Sequence, residues 1–240
     1  MKNLTSDLPQ LVRKFVYDHF VEYSRAPHLE EIITKFKITK KKLIETLDTL
    51  EQHRSLVRIT GTQRILMVWP FSNIPTSYQT KLEEGKSYYA NCAWDSIGIH
   101  VLLKRPVKIK AYCFHCADPI ILTLKNEQIL EKTPKDVLIH FSKPIAKWYD
   151  NIIDTCSNNM NFFSSPEHLK EWKTENSSKI GYTITFPQII NMSKLFYKNR
   201  LKVDYERPNI KEITTFFKSI GLKGNFWNIH PKPFDCHGHQ

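Results

Sequence analysis

Apolar residues recur every three to four positions at Leu8, Leu11, Val12, Phe15, Val16, Phe20 and Tyr23, the spacing of one buried stripe along a helix, and Pro27 ends that segment. Leu29, Ile32, Ile33 and Phe36 predict a second helix. Leu43, Ile44, Leu47 and Leu50 predict a third, with Thr39 placed to cap it across a tight turn. The period then shortens. Ser55 to Thr60 and Arg64 to Trp69 are β-rich runs joined by Gly61-Thr62-Gln63, which reads as a hairpin, so helices followed by a two-stranded wing predict a winged-helix module over residues 1–75. Residues 76–86, close to Pro75 and a run of Ser and Thr, read as a linker.

Beyond it, 87–230 reads as a mixed α/β domain. Tyr88 to Leu103 is apolar and helix-compatible, and Val107 to Tyr112 and Pro119 to Leu124 alternate as paired strands around Cys-Phe-His-Cys-Ala-Asp. Val137 to Phe141 is a further strand. Ser165-Pro166-Glu167 opens a helix with a capping serine and proline at the first helical position, and helices are predicted over 187–201 and 209–220, the last ended by Gly221. The expected class is α+β: an N-terminal winged-helix module, then a small, mainly antiparallel sheet flanked by helices, with 231–240 as a flexible tail.

The 240 residues carry a net charge of +11, which raises the question of nucleic acid. The excess is diffuse. Residues 1–80 hold 12 basic and 8 acidic side chains and residues 81–240 hold 23 and 16, so no segment concentrates it. Lys40, Lys41 and Lys42 are suited to phosphates, but Glu45, Asp48 and Glu51 share their helix, and a packing role for the module is preferred over DNA recognition. No apolar run approaches the ~20 residues needed to span a bilayer. With no secretion-signal pattern at the start, a cytoplasmic protein without a membrane partner is expected.

Five cysteines, an odd number, argue for reduced thiols rather than a disulfide framework. Cys92 and Asp95 lie one helical turn apart in Ala-Asn-Cys-Ala-Trp-Asp, so a thiol near a helix start and a proton carrier share a face. A carboxylate among Ala93, Trp94, Ile97 and Ile99 is costly to bury without a partner or a purpose. Nothing adjacent to Cys156, in a segment that reads as a polar turn, makes it reactive. Cys113 and Cys116, with His115 between them, have the spacing of half a zinc site, but the nearest second pair comes from Cys236, His237 and His239 at the far end, and a β-hairpin turn is preferred. No phosphate-binding glycine loop or metalloprotease motif is present in the sequence.

The segment Ser-Tyr-Tyr-Ala-Asn-Cys-Ala-Trp-Asp-Ser-Ile-Gly-Ile resembles the Tyr-Ala-x-Cys-Ala-x-Asp stretch of the alkylmercury (organomercurial) lyases. The predicted winged helix, the cysteine at Cys116 after a strand, and Phe162-Phe163 followed nine residues later by Trp172 occur in that family's order. The end of the chain, from Phe196 through Arg200-Leu201 to Gly221-Leu222 and Phe226-Trp227, is similar to longer, divergent members, and the likeness spans residues 8 to about 230. Asn91 stands where a tryptophan is familiar, and Cys156 lies one residue further from the Phe-Phe pair than the simplest alignment places it.

The resemblance implies carbon–mercury protonolysis with Cys92 as first thiolate, Asp95 as proton carrier and Cys156 as second thiolate. It implies an organomercury substrate, Hg(II) held transiently by Cys92 and Cys156, low-molecular-weight thiols or a mercuric reductase as acceptors, and no organic cofactor. Two other readings stay open: a thiol-based metal sensor that keeps the fold without turnover, and a winged-helix transcription regulator.

Overall fold

The computed structural model describes residues 8–177 and 181–229. The chain opens with α1 (Leu8–Tyr23), α2 (Leu29–Phe36) and α3 (Lys40–Gln52), where the apolar periods predict them. Thr39 caps α3 by accepting the Lys42 N–H at 3.2 Å. The acidic side of α3 is used internally, since Asp48 and Glu51 both pair with Arg58 at 2.6 Å.

Strands β1 (Val57–Arg58) and β2 (Ile65–Val68) form the expected hairpin, but they do not stand apart from the rest of the chain. Through β3 (Phe71–Ser72) they join β4 (Gln79–Leu82), β5 (Ser87–Ala90), β6 (Val107–Tyr112), β7 (Pro119–Lys125) and β8 (Gln128–Thr133) in one eight-stranded sheet of order β1-β2-β3-β5-β4-β6-β7-β8. Every pairing in it is antiparallel.

Two expectations are therefore corrected. Residues 76–86 are no linker, because they contain β4, which pairs with β5 on one side and β6 on the other. Thr80 and Leu82 of that strand are buried, and a two-residue alternation so short is hidden in a Ser/Thr-rich composition. Nor is the sheet small. A second sheet of order β10-β9-β11 is built from β9 (Leu138–Phe141), β10 (Met160–Phe163) and β11 (Tyr182–Ile184).

Five further α-helices follow among the described residues: α4 (Ala93–Leu103), α5 (Ile152–Asn159), α6 (Pro166–Glu175), α7 (Phe186–Tyr197) and α8 (Ile210–Ser219). Ser165 caps α6 as predicted, accepting the His168 N–H at 3.3 Å. The buried apolar residues form one continuous cluster from Val12 of α1 to Trp227. None of the helices among the described residues is long and apolar enough to cross a membrane. The expected tail, 231–240, lies outside the described residues.

Candidate active site

Cys92 sits immediately before α4 with an extended backbone (φ −158°, ψ 178°), where an N-cap residue belongs. Its sulfur takes the capping role, accepting the Asp95 N–H at 3.3 Å, while the thiol donates to Asp95 Oδ2, also at 3.3 Å. The sequence favours this local structure because Tyr88 and Ala90 of β5 bury on the sheet while Ala93-Trp94 starts an apolar helix, leaving Asn91-Cys92 as the corner.

Cys156 reaches the same place from α5 rather than from the polar turn expected for it. Asn151 caps that helix by accepting the Asp154 N–H at 3.0 Å, and Thr155 donates to the Trp148 carbonyl at 2.8 Å. The sulfurs of Cys92 and Cys156 and a carboxylate oxygen of Asp95 all lie within 4.8 Å of one another. The three residues are 0 %, 3 % and 1 % exposed respectively. Ser157, the neighbour of Cys156, is exposed and donates to the Ile153 carbonyl at 2.7 Å.

A cavity of about 30 Å³ opens against these groups, with Trp94, Trp148, Met160 and Tyr197 in its wall. That is room for one or two waters. Trp94 packs at 5.2–5.7 Å from Phe196, Tyr197 and Trp148, so much of the site's lining is aromatic.

Burial dominates the electrostatics. It raises the Cys92 thiol well above its ordinary value, with the hydrogen bond to Cys156 and the Asp95 charge adding to the effect and the Asp95 N–H opposing it. Burial also raises the Asp95 carboxyl, to about 6, against hydrogen bonds from Tyr197, Cys92 and Asn91. A carboxyl in that range accepts and returns a proton near neutral pH.

Tyr197 carries no signal in the sequence beyond its place near the end of a predicted helix, and Arg200 only that and its part in the family resemblance. Tyr197 donates to Asp95 Oδ1 at 2.6 Å. Arg200 is buried, donating to the Tyr17 hydroxyl at 3.0 Å and the Phe196 carbonyl at 2.7 Å, and its guanidinium lies 5.4 Å from the Tyr197 ring. Met160 is a third missed residue, its sulfur 3.9 Å from Cys92 Sγ.

The profile of the alkylmercury lyase family matches residues 71–198, more than half of the chain and a span that contains Cys92, Asp95 and Cys156. The chain belongs to the alkylmercury lyase family. Among named family members, the Bacillus cereus alkylmercury lyase is 27 % identical over 132 residues, 55 % of this chain and 56 % of that protein. The Streptomyces lividans alkylmercury lyase is 26 % identical over 101 residues, 42 % of this chain and 46 % of its own length. The aligned part thus spans about half the length of these lyases. The mercury-bound form of MerB2 shares the fold with a TM-score of 0.65 at 24 % identity, covering 81 % of this chain and 89 % of that one.

A second group of sulfur and nitrogen atoms lies elsewhere. Cys113 and Cys116 gather not with His115, which faces Glu171 at 3.2 Å and Glu175 at 3.6 Å, but with His168. Cys236, His237 and His239, the candidate second pair, lie outside the described residues. All four described cysteines are free thiols, as the odd count suggests.

Proposed function

We propose that this chain is an organomercurial lyase that cleaves carbon–mercury bonds by protonolysis, and the observation that carries the reading is the meeting of two buried thiols and one raised carboxyl at a single cavity. Mercury is soft and prefers sulfur to oxygen or nitrogen. Cys92 attacks R–Hg–X, the Hg–X bond breaks, X departs as an anion, and the thiol proton passes to Asp95 at 3.3 Å. Cys156 then adds its sulfur to the same mercury and raises electron density on the carbon. Asp95 returns its proton to that carbon as the Hg–C bond breaks, giving R–H and Hg(II) held between the sulfurs, and the Cys156 thiol proton leaves to solvent. Mercury stays Hg(II) throughout, so the sequence of steps needs no electron donor or acceptor.

Met160 supplies a neutral sulfur beside Cys92, and the aromatic wall keeps water from competing with Asp95 for the carbanion-like carbon. Low-molecular-weight thiols or a mercuric reductase then take Hg(II) from the pair, which suits a reducing cytoplasm. The three N-terminal helices and the β1–β2 hairpin serve on this reading as a winged-helix module used for packing, its acidic face paired with Arg58 rather than free for phosphate.

The deciding assay measures hydrocarbon and Hg(II) release from methylmercury and phenylmercury in excess thiol. Cys92→Ser keeps a side-chain oxygen for the helix cap and is expected to lose turnover by at least a thousandfold, on the scale of about 4 kcal/mol of transition-state stabilisation. Undiminished release in that variant sinks the reading. Stoichiometric Hg(II) capture by the unmutated chain with no hydrocarbon points instead to a sensor or store.

A further inference from the structure

We propose that Cys113, Cys116 and His168 form a zinc site, separate from the proposed lyase centre and independent of that activity. Strand β6 delivers Cys113 to a tight turn in which the Cys113 N–H donates to the Asp118 carbonyl at 2.8 Å and the Ala117 N–H to the Cys113 carbonyl at 2.9 Å. Ala117 takes a left-handed conformation (φ 61°) to close it. Both sulfurs face the first turn of α6, where His168 Nδ1 lies 3.2 Å from Cys116 Sγ and 3.8 Å from Cys113 Sγ.

Those separations match a tetrahedral ion. Bonds of about 2.3 Å to sulfur and about 2.1 Å to nitrogen at tetrahedral angles put S and N about 3.6 Å apart. Hydrogen bonding alone accounts for the cluster poorly. Nδ1 faces both sulfurs and also Ser164 Oγ at 2.5 Å, yet a neutral imidazole nitrogen offers one proton or one lone pair, not three partners. A cation shared by the two sulfurs and the nitrogen gives those three atoms a common partner and leaves the Ser164 hydroxyl, 3.9 Å from Cys116 Sγ, to donate to that thiolate. Two thiolates and an imidazole form a borderline-soft set that favours Zn(II) over Mg(II) or Ca(II), and no redox change is needed because the ion replaces the two thiol protons, which pass to solvent.

The surroundings hold the set in place. The Phe114 N–H donates to the Phe162 carbonyl at 2.9 Å, tying the turn to β10, and the Phe114 ring packs edge-on against Trp172 of α6 at 5.9 Å. Cys113 is buried while Cys116 is exposed, so an ion enters from the Cys116 side and a water takes the fourth position.

The test uses the full chain with Cys92→Ser and Cys156→Ser, which removes the other thiol pair. After zinc loading under reducing conditions and gel filtration, metal analysis is expected to find one zinc per chain, and cobalt in its place to show thiolate-to-metal charge-transfer absorption. Adding Cys113→Ser with Cys116→Ser abolishes both signals, and adding His168→Ala weakens zinc at least tenfold in competition with a chelator, with the circular dichroism spectrum unchanged. The otherwise unmutated chain, whose folding is not at issue, is expected to melt at higher temperature with zinc than with chelator. Zinc-free protein after loading, a Cys113–Cys116 disulfide that persists in reductant, or zinc retention without Cys113 and Cys116 overturns the site.

Discussion

On the proposed mechanism Asp95 does two opposite things, taking a proton from a thiol and giving one to carbon, and its surroundings set the pH at which both are possible. Burial raises it to about 6, and the Tyr197 hydroxyl at 2.6 Å restrains that rise by stabilising the ionised form. Ionised Asp95 is the state that accepts the Cys92 proton, so turnover is expected to fall as pH drops through about 6, with kcat/KM against pH as the measurement. Tyr197→Phe removes the restraining donor. Its acidic limb is expected to move to higher pH by about one unit, the scale of one hydrogen bond to a charge, and an unmoved limb argues that another group titrates. Cys92 and Asp95 were legible in the sequence because one turn of helix joins them. Tyr197 was not, since it lies 102 positions away from Asp95 and only the packing of α7 on α4 brings it near.

That packing rests on Gly98. A Cβ there would lie 2.4 Å from Cε2 of the Tyr197 ring, so the helices approach as closely as they do only because the side chain is absent. Gly98→Ala is expected to cost about 1–3 kcal/mol in urea unfolding by overpacking, and to shift the acidic limb in the direction of Tyr197→Phe as the ring is pushed from Asp95. A stable variant with an unchanged pH profile contradicts this role. Long periodic helices and the β6–β7 pair could be read before any coordinates, as could the caps at Thr39 and Ser165. Among the short elements the β1–β2 hairpin and β9 could be read, but others could not. Strands β4 and β5 have four residues each, and α5 begins at an asparagine cap inside a polar run that also satisfies a turn, so Cys156 looked isolated until the helix carried it inward.

Across the whole molecule, the boundary drawn at residue 76 fails because strand pairing ignores the proline- and serine-rich composition that suggested it. The first helix likewise reaches the segment that follows α7. Arg13 of α1 donates to the Arg200 carbonyl at 2.7 Å, to the Val203 carbonyl at 3.3 Å and to the Lys202 carbonyl, bracing the segment just after Tyr197. Arg13→Ala strands these acceptors and is expected to destabilise the fold by about 2–3 kcal/mol in urea unfolding, with kcat falling as Arg200 loses its seat. If activity and stability both survive, the Arg13 brace is dispensable to the site.

Strand β10 carries a different consequence. Its first residue, Met160, touches Cys92, and Ser164 just past its end lies 3.9 Å from Cys116. Four residues of extended chain at about 3.3 Å each separate these positions by about 13 Å, several times any metal–sulfur bond. The strand therefore acts as a spacer: among the described residues the two thiol pairs stand too far apart to share one ion, so mercury added in excess should bind each pair separately.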